Sequence, residues 1–378
     1  MKNNIFSAAI LLSLLMALYG CAGRSDSFSD SATDGKTDRE VRNVIFIVGD
    51  GMGLAQVAAL ETARPDTNAF GLFPQTAFVT THSANNRVTD SAAGGTALFT
   101  GHKTNNSSLG MDADSCNVPN FAEKCEAAGL ECGIVTLCSF THATPAAMYA
   151  HNITRHDDEG IADDFLSSGL DVVFTGGSGM FAPDENGGNA RLDSLKAMGY
   201  NVVLNDYSFI SSIPEEWDNI IFLPFKKHFP DTDERKPGML AECTQAALDI
   251  LGKNSPDGFL LMVEESQIDF SCHDHLDGPL VKDMEEINSV MLVAKRFADS
   301  HPGTLVIVTA DHETGGLTMA SNDSDFNKGD SGIDFRWSTG GHTGVPVPLF
   351  AYGPGAEEFH GLIDNTEVHR KVCKLLGI

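Results

Sequence analysis

The chain has 378 residues, 52 of them acidic and 25 basic, for a formal charge of -27 and a pI near 4.6. That balance excludes nucleic acid as a stable partner, because no basic stripe exists to displace counterions from a phosphate backbone. It also repels anionic ligands at long range, so any phosphate site must supply its own local positive charge.

Met1-Lys2-Asn3-Asn4 carries one early positive charge, and an apolar run from Ile5 through Tyr19 follows. The run is too short to span a bilayer comfortably and reads as a cleaved export signal over 1–20. Leu18-Tyr19-Gly20-Cys21 resembles the bacterial lipobox, in which the cysteine is lipidated after cleavage. Ala22 and Gly23, rather than Asp, follow it, which resembles lipoproteins sorted away from the inner membrane. The expectation is an exported protein of the cell envelope, held at the outer membrane or in the periplasm by a lipid on Cys21. Residues 21–40 are rich in Ser, Asp, Thr and Gly and bury too little apolar surface to fold, so they form a flexible tether. Residues 41–378 contain no internal repeat and no second linker, and are expected to form one domain.

Seven cysteines remain beyond Cys21. Cys116, Cys125, Cys132 and Cys138 are close enough in sequence for several disulfide pairings, and the odd number leaves at least one thiol free or intermolecular. The absence of a Cys-x-x-Cys pair argues against a thiolate zinc site.

In chain order, Val44–Val48 is the first strand-length apolar run, and it enters Gly49-Asp50-Gly51-Met52-Gly53, where the backbone can turn tightly against a ligand. Thr89-Asp90-Ser91-Ala92-Ala93-Gly94-Gly95-Thr96-Ala97 reads as a capped helix start. The same geometry would present free N–H groups to an anion, and the small side chains would leave room for a phosphoryl group at Ser91. Val118–Ala128 is a helical pattern, Gly133–Leu137 and Asp171–Phe174 are strands, and Met239–Leu251 is a helix. The strand Phe259–Val263 leads into Glu264, then Asp269 and, four residues on, His273. Along Val281–Ala298, Met284, Ile287 and Met291 recur at helical spacing. Thr304–Val308 is a strand that leads into Asp311-His312. The polar stretch Ser321–Trp337 reads as a surface excursion, His342 lies in Gly340-Gly341-His342-Thr343-Gly344, and Val347–Ala351 is the last strand.

Uniformly apolar strands alternating with helices predict an α/β layered sandwich, a large mostly parallel central sheet flanked by helices. Ligands of such sheets bind beyond the carboxyl ends of the strands, so Asp50, Glu264, Asp269, Asp311 and His312 should converge on one edge. Hard oxygens with imidazole nitrogens suit zinc in an open catalytic site. Each cluster alone would pass for a helix cap, a surface ion pair or a turn histidine. Three at strand ends point to a metal centre.

Taken together, these segments resemble the alkaline phosphatase family, in the family's order from Val44 to Pro354. Gly49–Gly53 matches its opening metal loop and Thr89–Ala93 its nucleophile segment. His142-Ala143-Thr144-Pro145-Ala146-Ala147 through Arg155 matches its third-metal and phosphate-clamp segment. Glu264 through His273, Thr309–His312 and His342-Thr343 complete the set. The resemblance implies hydrolysis of small phosphate monoesters through a phosphoserine on Ser91, with two zinc ions and one magnesium per chain. Asp269, His273 and His342 would hold the first zinc, and Asp50, Asp311 and His312 the second, against Ser91. Asp50, Thr144 and Glu264 would contribute to the magnesium site. Arg155 would grip two phosphate oxygens, with Asp90 orienting it or capping the helix. Two positions depart from some bacterial members. Phe270 stands where they carry a basic residue, and His142 stands where they carry an acid. The chain also lacks the long insertion that many members carry before the last histidine, so a homodimer, though allowed by the resemblance, would have to form without it. Phosphodiesterases, sulfatases and phosphomutases share these ligands; Ser91, Arg155 and the full third-site set favour the monoesterase. A non-catalytic phosphate- or metal-capturing module would not need the nucleophile.

Overall fold

Each of the six apolar runs folds as a strand in the computed structural model, which describes residues 40–378 except 67, 186 and 324–331. The export signal, Cys21 and all of the tether but Glu40 lie outside the described residues. In chain order the strands are β1 (Asn43–Gly49), β2 (Gln75–Thr80), β3 (Glu131–Ser139), β4 (Val172–Gly176), β5 (Val202–Leu204), β6 (Ile220–Leu223) and β7 (Phe259–Glu265). They continue with β8 (Thr304–Thr309), β9 (Glu313–Thr314), β10 (Thr318–Ser321), β11 (Ile333–Arg336), β12 (His342–Thr343), β13 (Val347–Tyr352) and β14 (Gly361–Asp364). The helices are α1 (Leu54–Ala63), α2 (Ser91–Thr100), α3 (Phe121–Ala128), α4 (Ala143–Ala146) and α5 (Asp158–Phe165). After them come α6 (Ala190–Ala197), α7 (Met239–Asn254), α8 (Gln267–His273), α9 (Asp277–Ser300) and α10 (Asn365–Leu376).

Ten strands form one sheet in the order β14-β2-β13-β8-β1-β7-β3-β4-β6-β5. From β8 to β5 every pairing is parallel, whereas β13 runs antiparallel to both β8 and β2. The centre of the sheet is covered on both faces, which is why its strands read as continuous apolar runs; Val44 through Val48 are fully buried. Register then fixes the functional edge: Gly49 pairs with Glu265, Val48 with both Glu264 and Thr309, and Thr136 with Glu264. The residues after β1 and β8, and the end of β7, therefore meet at one level.

The unforeseen strands are short or half-exposed. β2 alternates, with Ala77 and Val79 buried and Phe78 exposed, and β5 is three residues long. The stretch expected as a surface excursion contains β11, which pairs antiparallel with β10. Trp337 follows, donating from Nε1 to Asp277 at 2.9 Å and stacking on His275 at 5.3 Å between centroids. The seven described cysteines are free thiols, so none of the pairings left open by the sequence forms among them. Six are buried, and Cys125 and Cys132 are hydrogen-bonded to each other.

Candidate metal centre

α2 delivers Ser91 as its first residue, and all ten of its residues are buried. Asp90 does both of the things expected of it. Its Oδ1 accepts from the Ala93 amide at 3.0 Å and caps the helix, while Oδ2 accepts from the Ser107 amide at 2.9 Å and lies 3.6 Å from the Arg155 guanidinium. Two small residues of α2 also have a packing role that was not expected. A Cβ on Gly94 would come within 2.8 Å of the Asp311 carbonyl oxygen, and one on Gly95 within 3.1 Å of Ala147. These two glycines admit the Asp311 backbone and α4.

Around Ser91 the ligands gather as the sequence predicts. Nε2 of His312 lies 3.2 Å from Ser91 Oγ, 3.3 Å from Asp311 Oδ2 and 3.5 Å from Asp50 Oδ1. All three side chains of the Asp50, Asp311 and His312 group are fully buried. Burial first, and the neighbouring Asp311 and Asp269 next, push the Asp50 carboxyl well above its ordinary range. Burial and then Asp269 push Asp311 up to about 7. Burial holds the His312 imidazole well below its ordinary range, hence neutral, the form that ligates metal. Asp50 Oδ1, Asp311 Oδ2 and Glu264 Oε1 are buried oxygens without a hydrogen-bond partner. A divalent cation is the partner that lets such carboxylates stay ionised together.

The second cluster joins Asp269 and His273 of α8 to His342 of β12. Nδ1 of His273 donates to the Gly340 carbonyl at 2.7 Å and Nδ1 of His342 to the Thr89 carbonyl at 2.9 Å. With both Nδ1 atoms committed to carbonyls, the two Nε2 atoms face each other at 3.2 Å, and Asp269 Oδ2, whose hydrogen bond raises the His273 imidazole pKa to about 9, lies 3.3 Å from His273 Nε2. Three electron-rich atoms so close fit a shared cation. His342 also stacks on His312 at 3.6 Å, tying the two clusters together.

The third group is Glu264 with Cys138 and His142. Glu264 Oε2 accepts from the Thr136 hydroxyl and from the Cys138 thiol, the latter at 3.2 Å, and Thr144 Oγ1 donates to Asp50 Oδ2 at 3.5 Å. Burial raises the Cys138 thiol well above its ordinary range, so it is protonated here. His142 accepts weakly from Arg155 at 3.5 Å, while its Nδ1 is buried without a partner. Burial, then the charge of Arg155, lowers its pKa to about 3. Phe270 lies edge-on to His142 at 5.8 Å and to His228 at 5.7 Å, so these three rings form one wall.

Sequence reading missed the residues that hold these ligands in place. Thr314 Oγ1 donates to Asp269 Oδ1 at 2.5 Å and lies 3.2 Å from His312 Nδ1, so one hydroxyl fixes ligands of two clusters. Glu313 accepts from Gln56 at 3.2 Å and from the Thr343 hydroxyl, which anchors β12 and with it His342. Arg235 pairs with Glu265 at 3.3 Å and Asp283 at 3.2 Å, and Glu265 accepts from the Ile268 amide at 2.8 Å, which seats the start of α8. Thr314 sits two residues past His312, and Cys138 two past Thr136. In extended chain that spacing shares a face, the one signal that could have found them.

A model of the alkaline phosphatase family matches residues 41–331 and 322–378. Among solved structures, the chain is similar to an alkaline phosphatase from the Antarctic bacterium TAB5, with a TM-score of 0.83 and 34% identity over 90% of this chain and 99% of that one. A histidine-to-aspartate variant of that enzyme carries bound magnesium. Alkaline phosphatase 4 of Bacillus subtilis is 28% identical over 100% of this chain and 97% of its own length. Streptomycin-6-phosphate phosphatase of Streptomyces griseus is 29% identical over 98% and 97%.

Proposed function

Because this chain belongs to the alkaline phosphatase family, we propose that it hydrolyses phosphate monoesters through a phosphoserine on Ser91. It is a phosphate monoester hydrolase, and the phosphoserine route is supported by one observation above others. The Ser91 hydroxyl stands at the start of a buried helix, 3.2 Å from His312, beside two carboxylate–imidazole clusters. Asp269, His273 and His342 would hold one zinc, and Asp50, Asp311 and His312 a second. Asp50, Thr144 and Glu264 would hold a magnesium. The bound cations supply Lewis acidity that stabilises negative charge on the attacking and leaving oxygens.

The chain's own groups do the rest. Thr314 accepts from His312 Nδ1 and fixes its tautomer, so that Nε2, 3.2 Å from Ser91 Oγ, would be free to hold the cation beside that hydroxyl. Ser91 Oγ gives up its proton to solvent as it attacks phosphorus in line, the ester P–O bond breaks, and the departing alkoxide takes a proton from water. Water then cleaves the Ser91 phosphoester and frees phosphate. Arg155, held by Asp90, offers a planar fork to two nonbridging oxygens, and free amides at the start of α2 face the same anion. We also read residues 1–20 as an export signal, Cys21 as a lipidation site and 41–378 as the single catalytic domain.

The test is acid quenching during turnover of a radiolabelled aryl phosphate. Label should be trapped on Ser91 and should disappear in Ser91→Ala, which still binds metal; chelation should abolish turnover, and zinc with magnesium should restore it. An unlabelled Ser91 under conditions that favour the intermediate, or full turnover by metal-free enzyme, would refute the proposal.

A further inference from the structure

A cleft of about 830 Å³ opens beside the phosphate clamp, lined by Asp90, His142 and Arg155 and also by Lys226, Lys227 and His228. The backbone carrying the lysine pair is fixed to the functional edge of the sheet. The amides of Gly177 and Ser178 each donate to the Phe225 carbonyl at 3.0 Å, and Gly179 donates to the Lys226 carbonyl at 3.0 Å. Ser139, at the end of β3, donates to His228 Nδ1 at 3.1 Å. The fit leaves no space for side chains: a Cβ on Gly176 would lie 1.8 Å from the Lys227 carbonyl oxygen, and one on Gly179 2.8 Å from that of Lys226. The glycine-rich turn after β4 thus lets residues 225–228 lie directly on the ends of β3 and β4.

Neither lysine has a carboxylate partner among the described residues, although Lys103, Lys282, Lys295 and Lys374 each do. Lys124, Lys196 and Lys253 likewise lack one; what distinguishes Lys226 and Lys227 is that they are adjacent and line the cleft with Arg155. Asp158 lines the same cleft without pairing to them, and Asp90 is engaged with Arg155. Burial, then the charge of Lys227, lowers the His228 pKa, which places that charge near the ring wall of the site. Two flexible point charges suit an anion of variable geometry better than a fixed fork does.

We propose that Lys226 and Lys227 form a second anion subsite, and that the substrates this enzyme favours are phosphate monoesters whose alcohol portion carries a carboxylate or a second phosphate. The proposal rests on the reading of Arg155 as the clamp for the transferred phosphoryl group. The subsite offsets, at close range, the repulsion that the acidic surface exerts on a monoester bearing a second anionic group.

The test is the ratio of kcat/KM within two matched pairs: phosphoglycerate against glycerol phosphate, and fructose bisphosphate against fructose monophosphate. In Lys226→Ala/Lys227→Ala the ratio should fall about tenfold in at least one pair, equivalent to about 1.4 kcal/mol. The partners without the second anionic group should stay within about twofold, and Lys226→Arg/Lys227→Arg should keep the ratio. A shift confined to the phosphoglycerate pair identifies a carboxylate subsite, and one confined to the fructose pair a phosphate subsite. Unchanged ratios in both pairs, or equal losses on both members of each, overturn the proposal. Glycerol phosphate turnover by the wild type reports the monoesterase reading separately: if it is absent, that reading fails and not the subsite alone.

Discussion

At the scale of single residues, the site is a set of paired obligations, and each can be broken separately. Arg155 is held by Asp90 on one side and touches His142 on the other. A charge-assisted hydrogen bond is worth about 1.5–3 kcal/mol, so Arg155→Ala should cost monoesters about tenfold to a hundredfold in kcat/KM. Diesters, with one charge fewer on phosphorus, should lose much less; matched aryl monoester and diester assays check this. His142 and Cys138 bring a nitrogen and a sulfur beside Glu264, where hard oxygens alone would suit magnesium. His142→Asp should therefore raise magnesium preference, read as a lower magnesium concentration for half-activation and weaker rescue by zinc. An unchanged activation profile would leave His142 as a purely structural ring against Phe270 and His228.

At the scale of elements, what was legible in the sequence and what was not follow one physical rule. Asp50, Glu264, Asp269, Asp311 and His312 were legible as candidate ligands because they lie at or just beyond the ends of uniformly apolar strands, whereas His273, His342 and Thr144 became so through the family resemblance. β2, β5 and β14 were missed because short or half-exposed strands have no comparable run, whereas β6, Ile220–Leu223, has one and was overlooked. Thr314, Glu313 and Gln56 were missed because hydrogen bonds between residues 56, 313 and 343 exist only once the chain has folded. The packing role of the α2 glycines was not visible, since only the fold shows that Gly94 faces the Asp311 backbone. Gly94→Ala should gain about 1 kcal/mol in helix propensity and lose about 1–3 kcal/mol to overpacking. The expected net outcome is a lower urea midpoint, with a larger fall in kcat and in metal affinity, because the displaced segment carries Asp311 and His312. Unchanged metal affinity and kcat would show that the contact relaxes without moving the ligands.

At the scale of the whole molecule, the side of α10 opposite the chemistry sets an acid limit. His369 is 3% exposed, stacks on Phe121 at 4.4 Å and lies 3.2 Å from the Cys373 sulfur. Burial, then the charge of Lys124, lowers its pKa to about 3 in the fold. The unfolded chain takes up a proton near pH 6.5 and the folded chain does not, so the stabilisation is complete above that pH and is lost as pH falls toward 3. At pH 5 the loss is about 2 kcal/mol for this one group. Urea titrations at pH 7 and pH 5 should show His369→Leu losing less stability than the wild type by that amount. Equal losses would remove His369 from the account.

The central position of β1 has a consequence for how the molecule comes into being. Its neighbours in the sheet are residues 260–265 on one side and 304–309 on the other, so the first strand to leave the ribosome waits for nearly the whole chain before it can pair. Contacts this distant in sequence make folding slow, because the entropy of closing long loops is lost before the pairing energy is gained. The last of the gathered imidazoles, His342, arrives later still. A partial chain can therefore hold Asp50 and Ser91 without any capacity for hydrolysis. Synthesis takes place with the catalyst unassembled, and activity begins only once the final fold is reached.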